Sequence, residues 1–595
     1  MREYASPLRV TVPTGGSLTD DVISAAVEVP QTTLFSRRVG EHWVDVTAEQ
    51  FRVEVTQVAK GLLAAGVRAG DRVLLISKTR YEWTLVDYAI WWAGAVTVPV
   101  FETSSADQIA WIITDSAPVA AVAETAAHRE RVTASGAPEH VWQLDDGAVA
   151  TLTTLGAGVS DAELEERRAT VAPDSLATVV YTSGTTGRPK GCALTHGNFL
   201  HELGVAVDEL GELFDADQDA STLLFLPLAH VFARVVQVGC VRSRVRLGHS
   251  AGVSHLLDDL AAFQPTFLLS VPRVWERIFD SAAQQARGAG RGKAKVFDAA
   301  TATAVAYSEA LDAGKVGLPL RLRHRLFDRC VYAPLRGALG GRIEYAVSGG
   351  APLDQRLSHF LRGVGVQVLE GYGLTETTAA VTVNLPGAHR IGSVGRPLQG
   401  AAVRVADDGE VLVTGGQVFR GYWRNERATA EALTSDGWFR TGDLGRLDDD
   451  GFLRITGRKK EIVVTAGGKS VAPAPLEDAI RTHPLVSQCI VVGEAKPFVG
   501  ALVTLDPEPL AAWADRHGKD GRTAADLRDD PDLVAEVQSA VDRANHGVSR
   551  AEAVRKVAIL AEDWSEEAGQ LTPTMKVRRS AVAREFADEI EGLYT

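Results

Sequence analysis

Apolar and polar positions alternate with a clear helical period over residues 47–66. Thr47 and Gln50 stand in capping-box spacing, Phe51, Val55, Val58 and Leu62 share one face, and Gly66 supplies the stop. The apolar run 72–77 then reads as a buried strand, 82–93 as a helix and 95–100 as a second strand. Strand, helix and strand in succession imply a right-handed parallel crossover, hence an α/β sheet. Trp83, Trp91 and Trp92 fall within that unit and read as core. An Ala-rich stretch, 120–172, carries only a weak pattern. After it, 176–180 predicts a buried strand ending at a turn, 191–195 a returning strand, and 196–210 a helix. Gly288, Gly290 and Gly292 among basic residues predict a mobile surface loop over 281–295.

From about residue 401 the texture changes to short alternating strands, with turns at Asp408-Gly409 and Asp450-Gly451. That pattern predicts a small barrel or antiparallel lobe. The expected domain boundary is Gly457-Arg458-Lys459-Lys460-Glu461. Beyond it, a glycine turn, a helix over 476–482 and apolar strands around Ile490 and Val503 suffice for a compact α+β domain.

Composition narrows the function classes. A chain of 595 residues is too long for one ordinary core. Its net charge of −14 argues against nucleic acid as the main partner, since phosphate binding favours a basic surface. Arg321-Leu322-Arg323-His324-Arg325 is a local exception, read first as a solvated helix face and second as a membrane or CoA-phosphate contact. Cys192, Cys240, Cys330 and Cys489 stand too far apart for a zinc motif or a disulfide framework, which fits a reducing cytoplasm. The N-terminus lacks a signal-peptide core, and the longest apolar stretches are too interrupted to cross a bilayer, so any membrane association is expected to be peripheral.

The candidate chemistry centres on Tyr181-Thr182-Ser183-Gly184-Thr185-Thr186-Gly187-Arg188-Pro189-Lys190-Gly191. Glycines let backbone N–H groups turn towards an anion, and hydroxyls and cations complete a cradle for phosphate oxygens. A Walker A loop is excluded, because Pro189 stands where that motif needs glycine and Lys190 precedes Gly191 instead of Ser or Thr. The string resembles the signature of the AMP-forming acyl-adenylating superfamily, which includes acyl-CoA synthetases, adenylation domains and luciferases.

Further motifs extend the resemblance over nearly the whole chain. Ser348-Gly349-Gly350-Ala351-Pro352 resembles the loop that faces adenine, and Leu369-Glu370-Gly371-Tyr372-Gly373-Leu374-Thr375-Glu376-Thr377 follows at the family's distance. The resemblance implies that Tyr372 stacks on adenine, Thr375 holds the α-phosphate, and Glu376 with Thr182 coordinates Mg²⁺. Trp438-Phe439-Arg440-Thr441-Gly442-Asp443-Leu444 is similar to the ribose motif, with Asp443 on the ribose hydroxyls, Arg458 reaching the same sugar and Lys460 at the hinge. Gln570-Leu571-Thr572-Pro573-Thr574-Met575-Lys576-Val577-Arg578-Arg579 resembles the last motif, in which Lys576 would bridge the carboxylate and the α-phosphate. Ala466-Gly467-Gly468-Lys469 matches the loop that lines a pantetheine tunnel. Leu226-Pro227-Leu228-Ala229-His230-Val231-Phe232 and Ser270-Val271-Pro272-Arg273-Val274-Trp275-Glu276 look like motifs of the long-chain fatty acyl-CoA synthetase branch, placing His230 near the carboxylate and Trp275 near the acyl-tunnel mouth.

The resemblance implies a large N-terminal domain (1–457) of two α/β sheet lobes plus a small β-barrel lobe, a hinge (458–460), and a small mobile α+β domain (461–595). It implies ATP, Mg²⁺ and CoA as cofactor and co-substrates, and a fatty acid as substrate. The expected reaction forms acyl-AMP and pyrophosphate, then acyl-CoA and AMP. A fatty acyl-AMP ligase loading a carrier protein is the nearest rival. A catalytically dead lipid- or nucleotide-binding scaffold is the rival from another class, and the presence of Lys576, Asp443 and Glu376 counts against it.

Overall fold

A computed structural model describes residues 1–40, 42–136, 138–182, 188–215, 219–250, 252, 255–467, 469–572 and 576–595. The first helix forms as its cap requires. Thr47 Oγ1 accepts the Gln50 N–H at 3.3 Å while Gln50 Oε1 accepts the Thr47 N–H at 2.9 Å, and Ala48–Ala64 follows with its apolar face buried. Strands Arg72–Ile76 and Val96–Val100 pair in parallel around the helix Tyr81–Trp92, whose three tryptophans are core residues. These strands are central to a seven-stranded sheet that ends on one side at the hairpin Leu176–Thr182 and Lys190–Thr195 and the short strand Gly421–Tyr422.

A nine-stranded sheet forms the second lobe. Its centre is the parallel set Ser221–Leu224, Phe267–Ser270, Tyr345–Ser348 and Gln367–Leu374. Helices His196–Glu209 and Val231–Ser243 pack between the two sheets, where one ion pair joins them. Arg234 Nη2 donates to Asp87 Oδ1 at 2.7 Å and its Nη1 to Thr178 Oγ1 at 2.6 Å, while Thr97 Oγ1 donates to Asp87 Oδ1 at 2.7 Å. Arg234 and Asp87 are both wholly buried. The helix Gln355–Val364 approaches Arg291–Asp312 so closely that a Cβ at Gly363 would stand 2.2 Å from the Ala304 carbonyl, so only glycine fits.

One expectation is overturned and two are refined. The stretch 120–172 completes the edge of the seven-stranded sheet, with strands Ala120–Ala123 and His140–Gln143 and helices between and after them. Alanine there gives little amphipathic contrast, although it packs well. The expected loop at 281–295 is instead the end of the helix Pro272–Gly288, a turn at Ala289 and Gly290, and the start of Arg291–Asp312. Gly290 takes φ +109° at that turn, and the other two glycines are helical. The lobe beyond 401 is a five-stranded antiparallel sheet whose edges are Glu3–Ala5 and Leu453–Arg458, and no pairing among the described residues closes it into a barrel.

The main apolar core runs through both large sheets as far as Leu453, and a separate core begins at Val463 and includes Leu476, Trp513 and Val537. The C-terminal body rests on the sheet of Val486–Val492, Val499–Leu505 and Val554–Ile559. No helix among the described residues is long and apolar enough to cross a membrane.

Replacing Asp87 with Ala leaves the Arg234 guanidinium buried without its carboxylate. We expect a loss of about 3–5 kcal/mol in denaturant unfolding. A loss below about 1 kcal/mol, the range of exposed pairs, would contradict the assigned role.

Candidate active site

The chemistry-bearing residues converge on a single continuous cavity of about 4430 Å³ between the large body and the C-terminal body. The hairpin that delivers the phosphate loop holds Thr182 opposite Lys190 in register. Ser183, Gly184, Thr185, Thr186 and Gly187 lie outside the described residues. Lys190 Nζ lies 4.9 Å from the centre of the Tyr422 ring, and Tyr422 donates to Glu376 Oε1 at 2.8 Å. Burial raises the Tyr422 phenol, with the Glu376 charge adding to it, so the phenol is a permanent donor. One oxygen of the buried Glu376 carboxylate is therefore fixed on Tyr422, and Thr182 and Lys190 line the same cavity.

The neighbouring strand Gln367–Leu374 carries Glu370, Gly371 and Tyr372 into the same cavity. Its register slips between Tyr372 and Gly373, where a Cβ would stand 1.4 Å from the Ala379 carbonyl. Glycine is thus obligatory at 373, and the bulge re-aims the Tyr372 ring. Tyr372 donates to Asp443 Oδ2 at 2.6 Å, and Arg458 Nε lies 3.1 Å from Asp443 Oδ1. Desolvation raises the Asp443 carboxyl, opposed first by Arg458, then by the Tyr372 hydroxyl and the Lys576 ammonium. Glu370 Oε2 accepts the Leu353 N–H at 3.2 Å, so this side chain braces the loop of Gly350 and Ala351, which are exposed to the cavity. Burial pushes the Glu370 carboxyl up to about 7, although the Leu353 and Gly392 amides lower it. Thr375 is buried on the one-turn helix after Tyr372 and also lines the cavity.

Lys576 enters from the C-terminal body on a short loop. Its N–H donates to Thr572 Oγ1 at 3.0 Å and its carbonyl accepts the Thr572 N–H at 2.8 Å, with Leu571 and Val577 bridged behind. Pro573, Thr574 and Met575 lie outside the described residues. The side chain is exposed to solvent within the cavity, whose walls partly desolvate it. That desolvation lowers the ammonium to about 8; Arg458 adds to the effect, and Asp443 and Glu461 oppose it. Behind the loop, Arg579 pairs with Glu477 and with Glu461 at 3.4 Å, fastening Lys576 to the segment that links the two bodies.

An apolar branch leads away from these charges. Leu203, Val207, Phe214, Val235, Gly239 and Phe267 line it, between helices His196–Glu209 and Val231–Ser243 and the nine-stranded sheet. His230 stands at the branch point as the cap of Val231–Ser243, its Nδ1 accepting the Phe232 N–H at 3.2 Å. Burial, with Lys576 second, lowers its ring to about 4, so at neutral pH the imidazole is uncharged and its remaining nitrogen is a donor.

Other expected residues stand elsewhere. Trp275 is wholly buried in the main core and does not line the cavity, so the structure does not place it at an acyl-tunnel mouth. Lys460 is exposed at the cavity wall on the segment between the two cores, Gly467 is exposed on a turn of the C-terminal body between Val463 and Val471, and Gly468 is outside the described residues. Tyr422 and Arg579 were not legible as site residues. Tyr422 sits in a two-residue strand with no motif around it, and Arg579 closes the last motif without a role of its own, because its partners Glu461 and Glu477 are distant in the chain.

Comparison with known proteins gives this geometry a family. Residues 24–423 match the AMP-binding enzyme family, and residues 460–595 match the AMP-binding enzyme C-terminal domain. The chain is 49% identical over 602 residues to the Long-chain-fatty-acid--CoA ligase FadD15 of Mycobacterium bovis and that of Mycobacterium tuberculosis, covering 100% of each chain. Long chain acyl-CoA synthetase 7, peroxisomal, of Arabidopsis thaliana is 31% identical over 97% of this chain and 86% of its own. Among solved structures, ATP-bound MatB from Rhodopseudomonas palustris shares the fold with a TM-score of 0.70 and 24% identity, over 96% of this chain and 99% of its own. The A-PCP didomain of carboxylic acid reductase from Segniliparus rugosus does so with a TM-score of 0.73 and 22% identity, over 98% of this chain and 83% of its own.

The charge arrangement is testable without turnover. Replacing Asp443 with Asn removes a carboxylate that favours protonated Lys576, so the midpoint for acylation of Lys576 by an amine reagent, measured peptide by peptide, should fall below about 8. An unchanged midpoint would mean that the two groups do not interact.

Proposed function

The chain belongs to the AMP-binding enzyme family, and we propose that it is an ATP-dependent, AMP-forming long-chain fatty acid:CoA ligase. The observation that carries the reading is the continuity of one cavity. It joins the Tyr372–Asp443 pair, the Lys576 ammonium and a deep apolar branch with His230 where they meet.

A carboxylate is a poor acyl donor because its leaving group would be oxide. Attack of a carboxylate oxygen on the α-phosphorus of ATP expels pyrophosphate and gives a mixed anhydride, acyl-AMP. Tyr372 offers its ring to the adenine, and Asp443, with Arg458 beside it, accepts the ribose hydroxyls. Thr182 and Lys190, with the intervening 183–187, hold phosphate oxygens, and Thr375 holds the α-phosphate. His230 donates to the fatty acid carboxylate, and Lys576 bridges that carboxylate and the α-phosphate below about pH 8, where it keeps its charge.

A Mg²⁺ ion suits the donors present. Among the described residues no group of three acidic or imidazole ligands could hold a metal alone, but Mg²⁺ characteristically takes one or two carboxylates and completes its shell with substrate phosphates and water. Glu376 and Thr182 would hold it, and when bound it neutralises phosphate charge. In the second half-reaction the CoA thiol attacks the acyl carbonyl and AMP leaves. We place the hinge at 458–460, with 461–595 turning so that Lys576 withdraws and the loop Ala466–Lys469 lines the pantetheine path. CoA brings the thiol, so Cys192, Cys240 and Cys489, all buried, have no nucleophilic part. Contact with a membrane would be peripheral, since no helix among the described residues is long and apolar enough to cross one.

Acyl-CoA formation should rise with chain length from acetate upward, each methylene buried in the apolar branch adding about 0.8 kcal/mol, or roughly fourfold. No thioester with any long-chain acid would refute the ligase reading. Lys576→Ala should slow acyl-AMP formation by about 10²–10³ while leaving the rate from supplied acyl-AMP near wild type, and equal loss in both steps would refute the lysine's role. A Cβ at Gly239 would already touch Leu203 at 3.5 Å and Phe214 at 3.6 Å. Gly239→Leu should therefore shift preference to shorter acids in a chain-length series. An unchanged profile would remove the apolar branch as the acyl site.

A further inference from the structure

The helix Leu318–Phe327 buries none of its residues fully, and it presents an apolar stripe to solvent. Leu318, Leu322 and Leu326 are 69%, 57% and 66% exposed, and their spacing of four puts them on one face. The opposite side is anchored: His324 stacks on Tyr307 at 3.9 Å and bonds the Gly363 carbonyl at 2.6 Å. The leucines thus stand outward on a fixed helix. Exposed leucines scattered singly need no explanation, but three in register on one helix do.

Charge gives the stripe a direction. Arg321, Arg323 and Arg325 lie on the helix and Arg329 just beyond it, all four exposed. The helix itself has no acidic residue, in a chain whose net charge is −14. Asp312 is engaged with Arg362 at 2.8 Å and Asp328 with Arg336 at 2.9 Å. Beside the stripe is a second hollow, of about 240 Å³, lined by Arg321 and Arg325 together with Tyr307, Leu311 and Val316. Guanidinium groups over an apolar floor suit a phosphate whose other end is hydrocarbon.

We propose that this helix and hollow form a docking surface for a bilayer of anionic phospholipid. The leucines enter the boundary between headgroups and acyl chains, and Arg321 and Arg325 take a lipid phosphate in the hollow. The helix packs on Arg291–Asp312, which also lines the substrate cavity, so docking there sets that wall of the enzyme against the membrane. The assignment deepens the peripheral association proposed above, and it does not depend on the ligase chemistry.

The test is flotation of the full chain with phosphatidylcholine vesicles, with and without phosphatidylglycerol, at low and high salt. Binding to the anionic vesicles and its loss in high salt are expected. Arg321→Glu with Arg325→Glu, and separately Leu322→Ser with Leu326→Ser, should each weaken binding at least about tenfold. Both pairs should leave thioester formation from a short, water-soluble acid unchanged. Variants that bind like the unaltered chain would overturn the assignment of the surface while peripheral association stood. No binding to either vesicle would overturn both, with the ligase reading still judged by thioester formation. A dimer that the leucine substitutions split, without vesicle binding, would make the face a subunit interface and likewise overturn the proposal.

Discussion

Two anions must come to bonding distance in this reaction, and the site is arranged around that repulsion. At about 4 Å and an effective dielectric constant of about 20, two unit charges interact by roughly 4 kcal/mol. One preorganised donor typically contributes about 3–4 kcal/mol to the stability of such a transition state, so a single well-placed ammonium offsets a repulsion of that size. Holding the ammonium ready has its own cost. Lys576 sits near Arg458 in a desolvated cleft, and only Asp443 and Glu461 keep its charge favourable. Asp443 therefore faces three ways, accepting from Tyr372, pairing with Arg458 and supporting Lys576.

The chain packs as separate cores, and the Lys576 ammonium stands on the body across the cavity from the one that carries Tyr372 and Asp443. The apolar clusters divide between Leu453 and Val463, and the segment between them carries Arg458, Lys459, Lys460 and Glu461 in place of packing residues. Arg579 ties Glu461 and Glu477 together, so the Lys576 loop and the start of the C-terminal body are fastened to each other. Lys459 reaches Asp408 at 2.6 Å on the other side in an exposed pair that is inexpensive to break, and the buried Glu410 at 3.0 Å.

Legibility in the sequence tracked how local each signal is. The capping box at Thr47, the parallel unit 72–100 and the hairpin around the phosphate loop follow from neighbours in the chain, and they appear as expected. The five-stranded sheet could not be read fully, because its edge strand Glu3–Ala5 pairs with Ala402–Val405, some four hundred residues away. The turn at Gly290 was mistaken for a longer loop because glycine's helical and turn roles look alike in sequence. In the site, Tyr372, Asp443 and Lys576 carried motif context. Tyr422 did not, since its value is one hydrogen bond to a residue 46 positions earlier. Trp275 shows the converse, a motif residue whose side chain the structure spends on packing.

The central claim is that the fatty acid carboxylate and the α-phosphate of ATP react in this cleft before any thiol is present. Exchange of labelled pyrophosphate into ATP, measured without CoA, reads that step alone. The account predicts exchange that depends on a long-chain acid and on Mg²⁺. Absence of exchange in an enzyme that still forms acyl-CoA would contradict it.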